Sequence, residues 1–159
     1  MTEPMAVDAR VPSYLGRVLD GDGVPAGTCF QVAPGVLVTA WHVLSDIGAA
    51  DDGDLVTMDP LAGGTGFGAL VARTDPLRDL AVLTCEARLT GTAGPLAATD
   101  SVPLRALVAV TGHTAPDDPG HVYRFLVAPG EWAGGTTRDD IVPLGRMTAP
   151  GVVPKRRTI

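Results

Sequence analysis

Short apolar segments separated by closely spaced turn signals are the feature that most constrains what this chain can fold into. The turn signals draw on 20 glycines and 14 prolines and include Asp-Gly, Pro-Gly and Gly-Gly pairs. Many short strands at near-regular spacing favour a β-barrel or sandwich. The candidate strands are Tyr14–Leu19, Gly27–Val32, Val36–Thr39, Leu55–Met58, Gly68–Arg73, Leu80–Cys85, Leu104–Thr111, Tyr123–Ala128 and Gly151–Val153.

One helical turn and one weakly patterned stretch interrupt these strands. The helical turn is expected over Trp41–Ile47, directly after the apolar run Gly35–Ala40. The weakly patterned stretch, Leu89–Pro103, is rich in Thr, Gly, Ala and Pro and is expected to link two halves of the chain.

Charge and hydropathy patterning exclude several classes of partner. The net charge of −6 gives no electrostatic reason to bind nucleic acid or an anionic membrane. The basic cluster Lys155–Arg157 is interpreted as a solvated tail. Charged or turn residues interrupt every apolar run before the length of about 18 residues that a membrane span needs. The first ten residues lack the apolar core of a secretory signal, so a cytoplasmic location is expected.

The pattern of the two cysteines is consistent with a cytoplasmic location. Cys29 and Cys85 lie in apolar, strand-like stretches without CxxC spacing. Two buried free thiols are favoured over a disulfide, which stays the alternative.

Of the three histidines, His42 has the context that best suits catalysis. It lies near the end of the run GVLVTAWHVL (35–44), where a predicted buried strand is followed by the short helix. A strand end on a rigid scaffold can hold a catalytic group in a fixed orientation. His113 and His121 lack such a context.

Asp79 is the matching acidic candidate. It stands directly before the apolar residues Leu80–Leu83, where a carboxylate risks burial that is unfavourable without a hydrogen bond. An imidazole N–H would supply that hydrogen bond, and the pair would fix the histidine tautomer as in a Ser-His-Asp triad.

Taken together, these segments resemble the trypsin-like serine proteases of bacterial, intracellular type. GTCFQVAPGVLVTAWHVL (27–44) is similar to the family's segment around its catalytic His, and DPLRDLAVL (75–83) to the segment around its catalytic Asp. LVAVTGH (107–113) resembles the opening of the second barrel, and residues 130–154 resemble the stretch leading to the nucleophile. The resemblance implies His42 as general base and Asp79 as its orienting partner.

The sequence also departs from the family pattern. Trp41 stands where the family usually has Ala, and Val43 where many secreted members have Cys. No Gly-x-Ser-Gly segment follows Asp79, since the serines are Ser13, Ser45 and Ser101. Without that segment the oxyanion hole and much of the specificity pocket would also be missing. Neither cysteine is favoured as a substitute nucleophile, and neither are the threonines, of which the candidates are Thr136, Thr137, Thr148 and Thr158.

Motifs for other chemistry are weak, so no cofactor and no metal are expected. The pattern GTGFGA (64–69) fits a loose dinucleotide fingerprint, but a strand-like run follows it where a helix is needed. The acidic residues at 51–54 lack the remaining ligands of a calcium loop. No pair of histidines or cysteines has the spacing of a zinc site.

The resemblance thus implies an all-β, trypsin-like double β-barrel whose second barrel is incomplete. We expect an N-terminal tail (1–10), a first β-barrel carrying the His and Asp (11–92) and a partial second β-barrel (93–159). The implied activity is peptide-bond hydrolysis of a polypeptide substrate, with the chain itself inactive because the serine segment is absent from it. The alternative is a non-catalytic pseudo-protease that binds a peptide or a partner domain.

Overall fold

A computed structural model describes residues 11–86, 93–114, 124–138 and 142–148. Within these residues the regular secondary structure is almost entirely β-strand, with one α-helix and one 3₁₀ turn. The elements in chain order are β1 (Leu15–Leu19), β2 (Pro25–Ala33), β3 (Val36–Thr39), α1 (Trp41–Asp46), β4 (Leu55–Pro60), β5 (Phe67–Asp75), β6 (Leu80–Thr84), the 3₁₀ turn (Thr99–Ser101), β7 (Leu107–Thr114), β8 (Arg124–Arg138) and β9 (Val142–Thr148).

The first six strands close into an antiparallel barrel in the order β1-β2-β3-β6-β5-β4. Side chains alternate between the barrel interior and its outer face, as the two-residue period of a strand requires. Most interior positions carry aliphatic side chains, Cys29 or Met58, and these form one core with two residues of α1. Gln31 and Thr39 are the buried polar residues of the described strands. The fully buried side chains include Val18, Cys29, Leu37, Leu44, Met58 and Leu83.

The last three strands form a separate sheet in the order β7-β8-β9. The chain divides into two compact units, Met1–Leu96 with Gly112–Phe125, and Ala97–Thr111 with Leu126–Ile159. The all-β prediction, with one closed barrel followed by a partial second sheet, is therefore confirmed.

The strands of the first unit follow the predicted pattern closely, but those of the second unit differ from it. β8 runs to Arg138 and does not end at Ala128, because Pro129-Gly130 and Gly134-Gly135 lie within the strand and form no turn. A shift of register between Trp132 and Gly135 takes up the irregularity as a bulge. The sequence pattern did not predict β9. The predicted tail (1–10) and the predicted strand Gly151–Val153 lie outside the described residues.

Two other features bear on the sequence predictions. No helix within the described ranges is long and apolar enough to cross a bilayer. Both cysteines are free thiols, and Cys29 is buried, as expected. Cys85 is partly exposed, so the prediction that it is buried was wrong.

Candidate active site

β3 and α1 together place His42 at the protein surface. β3 is a short strand with Leu37 and Thr39 buried, and Ala40 then keeps an extended backbone before the helix begins at Trp41. Within the helix Val43 and Leu44 are buried in the barrel core. His42 consequently lies on the outward face, with its side chain 60 % exposed.

The start of this helix is supported from β2. The hydroxyl of Thr39 donates a hydrogen bond to the carbonyl of Thr28 at 2.9 Å. Gly27, the residue before Thr28, lies under Val43, since a Cβ on Gly27 would be 2.5 Å from Val43 Cγ1. A side chain at position 27 would therefore push away the residue that follows His42.

Asp79 reaches His42 because of the pairing between β3 and β6. Thr39 is paired with Ala81, so the turn that precedes β6 passes beside the start of α1. Asp79 ends this turn with a positive φ of 55°, a left-handed conformation that Asp adopts more readily than most residues. Its backbone N–H donates to the carbonyl of Pro76 at 3.3 Å.

The Asp79 carboxylate holds His42 through both of its oxygens. Oδ1 accepts a hydrogen bond from the backbone N–H of His42 at 2.8 Å, and Oδ2 lies 2.6 Å from the ring Nδ1. The first bond also caps the N-terminus of α1, where Ala40 offers no side-chain cap. The second fixes the tautomer with the proton on Nδ1, which leaves the Nε2 lone pair to accept a proton.

The other two histidines differ in their surroundings. The Nδ1 of His113 lies 2.8 Å from the Thr28 hydroxyl, on the outer side of β2. Burial lowers the pKa of His113, and the nearby Arg17 guanidinium lowers it further, while Asp59 acts in the opposite direction. Sequence reasoning missed this pair because nothing local links two residues at positions 28 and 113. His121 lies outside the described residues.

None of the three serines is hydrogen-bonded to His42. Ser13 is exposed before β1, Ser45 is exposed on α1, and the Ser101 hydroxyl donates to the carbonyl of Ala98 at 2.7 Å. Within the part of the chain that the structure describes, the ring of His42 has Asp79 as its hydrogen-bond partner. In the described residues, therefore, the carboxylate of Asp79 holds the imidazole of His42, and no serine hydroxyl is hydrogen-bonded to that ring.

The cysteines are not activated as nucleophiles. Burial raises the pKa of Cys29 to about 12, and it also raises the pKa of Cys85. A thiolate is the reactive form, so both side chains are held in the unreactive thiol form at neutral pH. Among the candidate threonines, Thr136, Thr137 and Thr148 lie on β8 and β9, and Thr158 is outside the described residues.

Among the described residues no group of three or more His, Cys, Asp or Glu side chains could hold a metal ion. The 64–69 segment is the connection from β4 into β5, with no helix after it, as the strand-like sequence indicated. The acidic residues at 51–54 form a turn closed by a hydrogen bond from the Asp51 N–H to the Asp54 carboxylate at 3.0 Å.

An open groove of about 450 Å³ lies on the first barrel, and neither His42 nor Asp79 lines it. Its walls come from β5 and the end of β6, namely Gly68, Leu70, Thr84, Cys85 and Glu86.

Comparison with known proteins shows which family the chain matches. Residues 27–152 match the family described as the trypsin-like peptidase domain. No curated protein sequence matches the chain.

Two solved structures show the same fold. The MamO protease domain from Magnetospirillum magneticum is 20% identical, with a TM-score of 0.58 over 89% of this chain and 74% of that one. The inactive form of the Rv3671c protease from M. tuberculosis is 24% identical, with a TM-score of 0.53 over 85% of this chain and 62% of that one. The chain therefore spans less than two thirds of the second structure.

Proposed function

The chain belongs to the trypsin-like peptidase family, and from that premise we propose that His42 and Asp79 are the general base and orienting acid of a serine endopeptidase. The observation that carries the proposal is the double hydrogen bond from Asp79 to the backbone and ring of His42. The bond at Nδ1 leaves Nε2 as the acceptor, which is the arrangement that a general base needs.

The proposed chemistry is peptide-bond hydrolysis through an acyl-enzyme. His42 Nε2 would take the proton of a serine hydroxyl as its oxygen attacks the scissile carbonyl, and would then give that proton to the leaving amine. A water molecule, deprotonated in the same way, would release the acyl group. Asp79 would stabilise the imidazolium that forms in each step.

We further propose that the nucleophile is not among the serines of these 159 residues. The Ser101 hydroxyl donates a hydrogen bond to the Ala98 carbonyl, and no serine follows Ser101 in these 159 residues. Ser13 and Ser45 precede Asp79, and neither is flanked by the glycines of a nucleophile turn. The 159-residue polypeptide by itself should therefore lack peptidase activity.

Labelling with a fluorophosphonate probe, which reacts with activated serines, tests this proposal. The 159-residue chain should stay unlabelled. The same chain fused to the nucleophile-bearing strands of a trypsin-like peptidase should be labelled and should cleave an unfolded polypeptide, and His42→Ala should abolish both effects. Labelling of the unfused chain at Ser45 would overturn the nucleophile assignment, and His42-independent labelling of the fusion would overturn the base assignment.

A second candidate function, a non-catalytic module that binds a peptide or partner domain, is favoured by the second unit. Among the described residues its sheet has three strands, and large apolar side chains are exposed on and beside it, including Leu107 at 89 % and Leu104 at 70 %. Exposed apolar groups and open strand edges are features of peptide-binding surfaces. Under this function His42→Ala should leave the affinity for the partner unchanged, whereas Leu107→Ser should weaken it.

A further inference from the structure

The turn between β5 and β6 carries Asp79 to the candidate active site. Asp75 ends β5 and is paired with Leu80, the first residue of β6, so residues 76–79 connect the two strands. Asp79 is the last residue of this connection, and its φ of 55° is unfavourable for a residue with a side chain. The direction of its carboxylate therefore depends on how firmly the turn is closed.

Burial does little to hold the His42–Asp79 pair in place. The side chain of His42 is 60 % exposed and that of Asp79 is 38 % exposed. Close packing fixes side chains in a protein interior, but side chains this open to water lack most of those contacts. The backbone that carries Asp79 must therefore supply much of its orientation.

The carboxylate of Asp75 closes the turn at its start. Oδ1 accepts a hydrogen bond from the backbone N–H of Arg78 at 3.1 Å, and Oδ2 accepts one from Nη1 of the Arg78 guanidinium at 2.8 Å. Asp is well suited to this position, because its short side chain reaches backbone N–H groups a few residues further along. The Arg78 side chain, and then the Arg78 backbone N–H, lower the pKa of the Asp75 carboxyl, so the group is a carboxylate at neutral pH.

The two backbone N–H groups that lead up to the Asp79 side chain are both held. The N–H of Arg78 donates to the Asp75 carboxylate, and the N–H of Asp79 donates to the Pro76 carbonyl at 3.3 Å. Directly after Asp79 the chain enters β6, which is paired with both β5 and β3. Asp79 thus has restrained backbone on each side, and the restraint from Asp75 is made by a side chain that mutation can remove.

The two oxygens of Asp75 are expected to contribute unequally. The side chains of Arg78 and Asp75 are 53 % and 35 % exposed, and an ion pair this open to water contributes little to stability. The hydrogen bond to the Arg78 backbone N–H acts on the chain one residue before Asp79. The effect on Asp79 is therefore assigned to Oδ1.

We propose that Asp75 is a positioning residue for Asp79, because its carboxylate closes the turn at residues 75–79 and thereby holds the Asp79 carboxylate against His42. The proposal rests on the proposed function only in taking Asp79 to be the orienting acid of the general base. The restraint itself is independent of any catalytic activity.

Solvent exchange of the His42 Nδ1 proton, followed by NMR in the full 159-residue chain, tests the proposal without an activity assay. Asp75→Ala removes the acceptor of the Arg78 N–H, so it should speed this exchange about fivefold, the effect of losing one ordinary hydrogen bond. Asp75→Asn keeps an oxygen for that N–H and should retain the slow exchange. Arg78→Gln removes the ion pair but keeps the backbone bond, so it should also exchange slowly.

Asp20 offers a matched control in the same barrel. Its carboxylate closes the turn between β1 and β2 by accepting the backbone N–H groups of Asp22 and Val24 at 2.9 and 2.8 Å. Asp20→Ala should lower the free energy of unfolding as Asp75→Ala does, but it should leave the exchange of the His42 proton unchanged. This control separates positioning of Asp79 from a general loss of stability.

A second variant decides the matter if Asp75→Ala does not fold. Asp75→Glu keeps the charge, but its longer side chain moves the carboxylate away from the Arg78 N–H, so exchange should again be faster than in the wild type.

Three results would overturn the proposal. They are wild-type exchange in folded Asp75→Ala or in Asp75→Glu, exchange in Asp75→Asn as fast as in Asp75→Ala, and equal acceleration by Asp20→Ala. Failure of the proposed function would show differently, as a fusion protein without His42-dependent activity, and it would leave these exchange rates as expected.

Discussion

The carboxylate of Asp79 binds His42 at two points, the backbone N–H at 2.8 Å and the ring Nδ1 at 2.6 Å. One side chain therefore fixes both where the helix begins and which nitrogen of the imidazole carries the proton. Mutation can separate the two roles. An asparagine amide can accept the hydrogen bond of the His42 backbone N–H in place of the carboxylate, but it carries no charge.

Asp79→Asn should lower the free energy of unfolding by less than Asp79→Ala. Asn retains an oxygen for the His42 N–H and tolerates the left-handed backbone of this position, whose φ is 55°. Ala loses the helix cap, at a cost of about 1 kcal/mol, and adds a backbone penalty of similar size, about 1–2 kcal/mol. Urea unfolding of the two variants measures the difference. Equal losses would show that neither the cap nor the backbone conformation depends on this side chain.

Gly27→Ala should destabilise the first barrel by about 1–3 kcal/mol, the usual cost of overpacking a well-packed core. The added methyl would lie 2.5 and 2.7 Å from the two γ-carbons of Val43, so Val43 and the adjacent His42 must shift. The double variant Gly27→Ala/Val43→Ala removes the clash and should recover part of the loss. Gly21→Ala is the matched control, because nothing lies within 4 Å of its added carbon. Equal stability of the two single alanine variants would contradict the contact.

Stability should fall on both sides of neutral pH, for two different groups. The pKa of His113 is lowered by folding from 6.5, so the unfolded chain binds this proton more readily, and stability is lost as the pH falls below about 6.5. The pKa of Cys29 is raised from 9.0 to about 12, so the unfolded chain releases that proton more readily, and stability is lost as the pH rises above 9.0. His113→Asn should flatten the acid side of the profile and Cys29→Ala the alkaline side. If the stability of each variant depended on pH in the same way as that of the wild type, the assignment of the two slopes to His113 and Cys29 would be refuted.

The two thiols should react with Ellman's reagent at very different rates in the native protein. Cys85 is partly exposed and Cys29 is fully buried, and both have a raised pKa. One slowly reacting thiol is therefore expected before unfolding and two after it. Cys85→Ser should leave the native protein without a reactive thiol, and rapid labelling of Cys29 in that variant would contradict its burial.

The first barrel could be predicted from sequence because its strands are short, alternate regularly and end at turns. β3, for example, has the same bounds in prediction and structure, since Pro34-Gly35 precedes it and the helix follows. β8 could not be predicted, because two Gly-containing pairs typical of turns lie within a strand. Gly130 passes close to the Thr148 carbonyl, and Gly145 leaves room for the ring of Trp132. Such glycines are required by cross-strand contacts, which a local pattern does not contain.

The same distinction applies to the site. His42 and Asp79 could each be selected as a candidate from the apolar segment beside it. The two-point contact between them depends on the pairing of Thr39 with Ala81, which no single segment shows. The Thr28–His113 contact depends on where β7 ends against β2, so only the folded arrangement reveals it.

The most direct test of this account is a proton NMR spectrum of the 159-residue chain in the far-downfield region, where a ring N–H held by a carboxylate resonates. The account predicts one slowly exchanging signal that couples to a histidine nitrogen, disappears in both His42→Gln and Asp79→Ala, and remains in His113→Asn. Absence of this signal from the folded wild-type protein, or its survival in Asp79→Ala, would contradict the claim that Asp79 orients His42 as a general base.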